Sequence, residues 1–265
     1  MKEFLDFYKK VFNEGELIKQ DKNYFVLEDK NGNRLIKSMN FNMLFRKSDG
    51  LTYKWGGNFS KDPDYNPFGN EIADIEITKA CRGIRGKDGR RKVCEMCYKG
   101  NIPCGHYMSF EKFKKIFDLL NEAKTMTQIA FGVDAEASEE LNPDIWKIIK
   151  YTKENGVTPN ITVADITEDT AKNIVSNCGA VAVSAYQFNK ECCYNSVKLL
   201  TDESEKQEKP ITVNIHALIS KETYNFIFEL LDDLRCDTRL KKVNAIVFLS
   251  LKQKGRGMDY NKLSE

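Results

Sequence analysis

Short apolar runs alternate with amphipathic segments over most of the chain. From residue 71 onwards, six runs predict strands, at 72–78, 127–131, 158–163, 180–184, 211–219 and 243–251. Between them, five segments with apolar residues at helical spacing predict helices, at 109–123, 142–155, 168–177, 190–200 and 222–234. Strands that alternate with helices in this way indicate parallel βα units. The pattern therefore predicts an α/β fold, either a full or partial barrel or a doubly wound sheet.

The first 70 residues follow a different pattern. It predicts a short helix at 2–12 and strands at 23–28, 34–38 and 52–55. An Asn-Gly pair between the first two of these strands is a hairpin signal. Asp, Pro, Asn and Gly crowd together at 62–69, which predicts a loop or linker. We expect an N-terminal appendage with a β-hairpin over residues 1–70.

Composition narrows the class of protein. The 265 residues include 41 Lys and Arg against 39 Asp and Glu, so the net charge is only +2. This excludes a whole-protein attraction to nucleic acid. No apolar run approaches the roughly 18 residues of a membrane span, and the N-terminus is too charged for a signal peptide. We expect a cytoplasmic protein, in which the eight cysteines favour a metal site over disulfides.

Three of these cysteines lie close together in the sequence. Cys81 follows the first predicted strand of the α/β region, and Cys94 and Cys97 give the spacing C-x12-C-x2-C. Loops after the carboxyl ends of strands are where βα folds build their sites. Three thiolates there can ligate three irons of a [4Fe–4S] cubane and leave the fourth iron open. We predict that these three cysteines are the metal ligands.

Zinc is the alternative metal that this region could bind. Cys104 and His106 follow closely, and either residue would complete a four-coordinate site with the three cysteines. The chain would then be an interaction module for protein or nucleic acid. The basic residues of the gap between Cys81 and Cys94 would contact phosphates. An exposed, solvated loop is the simpler interpretation of that gap.

The stretch 76–81 (Glu-Ile-Thr-Lys-Ala-Cys), followed by Cys94, Cys97 and Tyr98, resembles the cluster loop of radical S-adenosylmethionine (SAM) enzymes. The usual spacing in that family is C-x3-C-x2-C, so the first gap here is nine residues longer. The resemblance covers residues 71–257 and implies a partial (β/α)6 TIM-like barrel of parallel strands. Residues 258–265 are then the start of a truncated C-terminal segment.

The resemblance also implies residues that contact SAM. Gly132, Val133 and Asp134 stand where the family has Gly-Gly-Glu-Pro, which binds the methionyl amino group. A helix cap is the alternative role for Asp134. Tyr98 would pack on the adenine. Polar residues on later strands match positions that contact the ribose and the methionyl carboxylate, and internal hydrogen bonds are their alternative role: Asn160, Ser184, Asn214 and His216.

The implied activity is reductive cleavage of SAM to a 5′-deoxyadenosyl radical that abstracts hydrogen from a substrate. Gly255-Arg256-Gly257 resembles the ending of strand six in the peptide-modifying branch of the family, so a peptide or protein is the expected substrate. The cofactors are a [4Fe–4S] cluster and SAM. The expected partners include an electron donor such as flavodoxin or ferredoxin, which the basic gap between the cysteines could attract. No membrane partner is expected.

Overall fold

The computed structural model describes residues 2–12, 14–58 and 62–259. It is a mixed α/β protein with a curled, six-stranded parallel half-barrel sheet and a separate antiparallel sheet near the N-terminus. The partial barrel predicted above is confirmed. The chain divides into two compact units, which are Met1–Ala73 with Lys114–Ile129 and Tyr151–Thr158, and Asp74–Phe113 with Ala130–Lys150 and Pro159–Glu265.

The N-terminal region begins with helix α1 (Lys2–Val11). A five-stranded antiparallel meander follows, in the order β1 (Glu16–Gln20), β2 (Tyr24–Glu28), β3 (Arg34–Ser38), β4 (Asn42–Phe45) and β5 (Thr52–Trp55). The predicted helix and the three predicted strands are present, whereas β1 and β4 were not predicted. Apolar side chains pack on both faces of this sheet, because one buried cluster includes Val26, Ile36 and Met43 and another includes Leu27 and Leu35.

A buried arginine stabilises the first unit. The Arg34 side chain is 4% exposed and its Nη2 lies 2.5 Å from Oε2 of Glu28. The same guanidinium donates hydrogen bonds to the carbonyls of Met126, at 2.6 Å, and Gly156, at 2.9 Å. A buried charge is tolerated when it is paired and its donors are satisfied, and these contacts meet both conditions.

The half-barrel contains strands β6 (Ile72–Glu76), β9 (Gln128–Gly132), β10 (Thr158–Val163), β11 (Ala180–Ala185), β12 (Thr212–Ile219) and β13 (Ala245–Ser250). Their spatial order is β13-β12-β11-β10-β9-β6. The helices between them are α2 (Phe110–Leu120), α3 (Ile145–Glu154), α4 (Glu168–Asn177), α5 (Lys190–Lys206) and α6 (Tyr224–Cys236). All six predicted strands and all five predicted helices are confirmed. A hairpin of two-residue strands, β7 (Ile84–Arg85) and β8 (Arg91–Lys92), lies between β6 and α2.

The two faces of the parallel sheet differ in polarity. On β10, Ile161 and Val163 are buried, whereas Asn160 is half-buried and Thr162 is exposed. The same alternation is present on β12, where Val213, Ile215 and Ala217 are buried and Asn214 and His216 are half-buried. Residues in register on neighbouring strands face the same side. One face is therefore an apolar core, and the other carries polar side chains with access to solvent.

Among the described residues, no helix combines the length and the apolar character that crossing a bilayer requires. The last described residues, Gly255–Asp259, form a 3-10 helical turn. Most of the predicted C-terminal segment, residues 260–265, lies outside the described residues. The predicted domain boundary after residue 70 stays a prediction.

Candidate cluster site

The loop after β6 carries Cys81 and is held by backbone hydrogen bonds. The amide of Cys81 donates to the carbonyl of Ile102, at 2.9 Å, and the amide of Lys79 donates to that of His106, at 2.8 Å. Asn142 is fully buried, and its side-chain amide donates to the carbonyl of Ile77, at 3.0 Å. These bonds fix the chain where it leaves the sheet, so Cys81 projects from a rigid support.

The three predicted ligands lie in one region of the structure. Cys81, Cys94 and Cys97 are all half-buried. Cys94 and Cys97 belong to a tight turn in which the Cys97 amide approaches the Cys94 carbonyl at 3.3 Å. Burial, followed by the charges of the Cys81 and Cys97 thiolates, raises the pKa of the Cys94 thiol to about 12. The Cys94 thiol is thus close enough to Cys81 and Cys97 for their charges to interact, and a bound cation would relieve the cost of ionising Cys94.

Cys104 and His106 lie on the segment that pairs with Lys79 and Cys81 through backbone hydrogen bonds. Both residues are exposed, and Cys104 lies in a turn closed by the hydrogen bond from the Gly105 amide to the Ile102 carbonyl, at 3.2 Å. Within residues 2–12, 14–58 and 62–259, no group of three or more His, Cys, Asp and Glu side chains is arranged to hold one metal ion.

The long gap between Cys81 and Cys94 forms the β7–β8 hairpin and is tied down by ion pairs. Arg91 donates two hydrogen bonds to the Glu136 carboxylate, at 2.6 and 2.7 Å, and Arg82 pairs with Glu140 at 2.6 Å. The Glu136 carboxylate raises the pKa of Arg91 through these bonds. The gap is therefore an ordered hairpin that is held to the segment after β9. It is exposed, as the simpler interpretation has it, but ion pairs fix its position.

Arg85 connects the same hairpin to the segment after β10. Its Nε lies 3.0 Å from Oδ2 of Asp165 without hydrogen-bond geometry, and its Nη2 lies 3.3 Å from Oε1 of Glu136. Burial raises the pKa of Asp165, and the Arg85 charge opposes that shift. Sequence analysis did not find Asp165, because a single Asp after a strand carries no signal until the fold brings it to Arg85.

The segment after β9 contains the residues predicted to bind the methionyl amino group. Gly132 accepts hydrogen bonds at its carbonyl from the amides of Ile77 and Thr78, at 2.9 and 3.2 Å. A Cβ at this position would lie 3.1 Å from both Cα of Glu76 and Nζ of Lys99. Close approach of the neighbouring strand and of a lysine already accounts for a glycine here. Lys99, which sequence analysis missed, lies 3.4 Å from the carbonyl of Val133.

Asp134 is buried, and its carboxylate already accepts hydrogen bonds from its own turn. The amides of Ser138 and Glu136 donate to it at 3.0 and 3.2 Å. Burial raises the pKa of Asp134, and these two hydrogen bonds oppose the shift. The carboxylate thus caps a turn that precedes α3, not the helix itself. A contact with SAM at Asp134 stays a prediction.

The strand residues predicted to contact SAM share the polar face of the sheet but lie at different heights. Ser184 on β11 is the register partner of His216 on β12. Asn214 is the register partner of Ala182, which lies two residues before Ser184 on β11. Asn160 on β10 is the register partner of Ala180, which lies four residues before Ser184. The Asn214 side-chain oxygen accepts a hydrogen bond from Asn244, at 3.0 Å. Ser184 and His216 therefore form a pair near the carboxyl ends of the strands, and Asn160 lies apart from them.

Tyr98, the residue predicted to pack on adenine, lies near β6, the first strand of the half-barrel. Burial, followed by the charges of Asp74, Glu76 and Cys97, raises the pKa of its hydroxyl. The ammonium group of Lys252 lies over its ring, 4.6 Å from the centroid. The ring is 44% exposed, so it retains surface for a ligand although this cation–π contact occupies part of it.

A search of solved structures identifies a protein with the same fold. The fold is similar to that of methylornithine synthase (PylB). The TM-score is 0.51 at 12% sequence identity, and the match covers 73% of this chain and 58% of that chain. This chain thus matches less than two thirds of methylornithine synthase, and the likeness shows a common fold. No family model matches the sequence, and no curated protein matches it.

The three thiols are a donor set that fits a [4Fe–4S] cluster. Three half-buried thiols are grouped on the loop after β6, and burial makes ionisation of the Cys94 thiol unfavourable by raising its pKa. Soft thiolates are the ligands that iron–sulfur clusters use.

Proposed function

We propose that this protein is a radical SAM enzyme whose [4Fe–4S] cluster is held by Cys81, Cys94 and Cys97. The observation that carries the proposal is the grouping of these half-buried thiols on the loop after the first strand of a parallel half-barrel. The fold likeness to methylornithine synthase, a radical SAM enzyme, supports the same class.

Cys81, Cys94 and Cys97 would hold the cluster, which when reduced would supply the electron for cleavage of SAM to methionine and a 5′-deoxyadenosyl radical that would take a hydrogen atom from the substrate. The residues of this chain provide three thiolates, a rigid loop and an open polar face on the sheet. Tyr98, Ser184 and His216 border that face and would orient SAM. Gly132, Val133, Asp134, Asn160 and Asn214 complete the set of proposed SAM contacts.

The substrate and the electron donor are further parts of the proposal. A peptide or protein substrate is proposed only on the resemblance of Gly255-Arg256-Gly257 to the peptide-modifying branch. For the electron donor, Lys87 and Arg90 at the exposed end of the hairpin would attract an acidic flavodoxin or ferredoxin. We propose the cytoplasm as the compartment, because eight cysteines and an oxygen-sensitive cluster suit a reducing environment.

Two cysteine variants separate the cluster from the zinc alternative. Cys94→Ala removes one ligand of the proposed cluster, whereas Cys104→Ala removes an exposed thiol that only the zinc site would use. After anaerobic reconstitution, we expect about four irons per chain and brown colour in the wild type and in Cys104→Ala. Cys94→Ala should lose most of its iron and its visible absorbance.

The metal content of the same samples shows which hypothesis is wrong. One zinc per chain that disappears in Cys104→Ala would support the interaction module and contradict the enzyme. Equal iron in Cys94→Ala and wild type would show that Cys94 is not a ligand. Circular dichroism on each variant checks that the fold is retained.

A further inference from the structure

The segment that follows the last strand returns to the loop that carries two of the proposed ligands. β6 and β13 are the edge strands of the six-stranded sheet, at opposite ends of its order. Residues 255–257 begin five positions after the end of β13, yet they contact residues 94–101, in the loop after β6. This contact joins the two ends of an open sheet.

Arg256 makes three hydrogen bonds to carbonyls of that loop. Its Nε donates to the carbonyl of Cys94, at 2.9 Å, and its Nη1 donates to that of Asn101, at 2.8 Å. Its backbone amide donates to the carbonyl of Cys97, at 3.1 Å. A planar guanidinium can hold two carbonyls in a fixed geometry, so one residue connects both cysteine positions and the end of the loop.

The flanking glycines permit this close approach. Gly255 has a φ of +58°, and a Cβ there would lie 2.7 Å from the carbonyl oxygen of Cys97 and 2.6 Å from that of Tyr98. A Cβ on Gly257 would lie 2.6 Å from the carbonyl oxygen of Lys252. Since real Cβ atoms do not approach backbone oxygens so closely, a side chain at Gly255 would push the segment off the loop, whereas one at Gly257 would clash within the segment itself.

We propose that residues 255–257 act as a strap that fixes the separation of Cys94 and Cys97, with Arg256 as the positioning residue. The functional meaning of the strap rests on the proposed function, because the loop needs a fixed geometry only if it holds a cluster. Surface loops are mobile unless they are tied down, and residues behind metal ligands commonly set ligand orientation. The Gly-Arg-Gly sequence thus has a role at the cluster loop, independent of the class of substrate.

The strap can be tested without any cluster. Hydrogen–deuterium exchange of peptides that cover residues 94–101 is measured on the cluster-free, full-length protein. Arg256→Gln should raise the exchange rate by about tenfold, because two charge-assisted hydrogen bonds are lost. Lys254→Gln, which removes one positive charge from an exposed position in the same segment, should leave the rate unchanged.

A second variant distinguishes geometry from charge. Arg256→Lys keeps the positive charge but cannot hold two carbonyls at once, so we expect it to exchange nearly as fast as Arg256→Gln. Wild-type protection in Arg256→Gln or in Arg256→Lys would overturn the proposal. If Arg256→Gln does not fold, as judged by circular dichroism, the Arg256→Lys result decides.

Iron loss from the reconstituted protein then tests the link to the cluster. With a ferrous chelator present, Arg256→Lys should lose its visible absorbance about tenfold faster than wild type, because its loop no longer fixes the ligands. Equal rates would show that the strap does not act on the cluster. A wild-type protein that binds no iron would instead contradict the proposed function, while the exchange experiment would still decide whether the strap exists.

Discussion

At the scale of single residues, burial alters the acid–base chemistry of the half-barrel. Cys94 and Asp134 both have a raised pKa because the structure removes them from water. Sequence analysis found both residues from their positions in motifs. It could not show that Asp134 already accepts two backbone hydrogen bonds, because such contacts depend on how the turn closes.

His216 gives a pH dependence that can be measured. Burial lowers its pKa below the ordinary value, which is about 6.5. The unfolded chain therefore takes up a proton at a pH where the folded chain does not, so stability falls as pH decreases from about 6.5 through the lower folded pKa. We expect the thermal midpoint to fall less over this range in His216→Gln than in wild type.

Ser184→Ala is the control for this experiment. It changes the register partner of His216 without removing a titratable group, so it should retain the pH dependence of the wild type. If His216→Gln and wild type lose stability in parallel on acidification, the folded protein does not hold His216 neutral, and the prediction is wrong.

At the scale of elements, the long periodic segments were all predicted, whereas some of the short paired strands were not. The limits of β10 and α4 agree with the sequence prediction, since their apolar spacing is regular. Helix α5 runs six residues beyond its predicted end, to Lys206, through polar residues stabilised by pairs such as Lys198 with Asp202. Strand β1 contains only two apolar residues, and β4 has only four residues in all. Both are strands because they pair with their neighbours.

The β7–β8 hairpin was not predictable for the same reason. Each strand has two residues, and the hairpin depends on ion pairs between its arginines and acidic residues more than 40 positions later in the chain. The sequence showed only a basic gap. The fold was needed to show that Arg85 and Arg91 meet Asp165 and Glu136.

Two glycines of the hairpin provide a matched test of its packing. Gly83 has a φ of +89°, and a Cβ there would lie 2.5 Å from the carbonyl oxygen of Lys92, whereas Gly89 has a φ of +75° and open space around it. Both Ala variants carry a backbone cost of about 1–2 kcal/mol. Gly83→Ala should lower the free energy of unfolding further, because of the clash with backbone.

Denaturant unfolding of the two variants measures this difference. The Gly89→Ala result subtracts the cost of the backbone conformation and leaves the effect of the clash. Equal losses of stability in the two variants would mean that the hairpin does not pack at Gly83 as described.

At the scale of the whole molecule, a parallel half-barrel carries the cysteine loop on which the proposed radical SAM chemistry depends. The strand and helix rhythm was sufficient to predict a βα fold, and the resemblance of the cysteine loop narrowed it to a partial barrel. The fold likeness to methylornithine synthase supports that architecture. Neither the rhythm nor the fold specifies the substrate, because substrate contacts come from side chains on loops that vary within one fold.

The assignment as a radical SAM enzyme is tested by measuring 5′-deoxyadenosine. The wild-type protein is reconstituted anaerobically and given SAM, with dithionite as the reductant. We expect 5′-deoxyadenosine to form in a protein that contains about four irons per chain. A protein that carries its irons and is reduced, yet forms no 5′-deoxyadenosine, would contradict the assignment of this chain as a radical SAM enzyme.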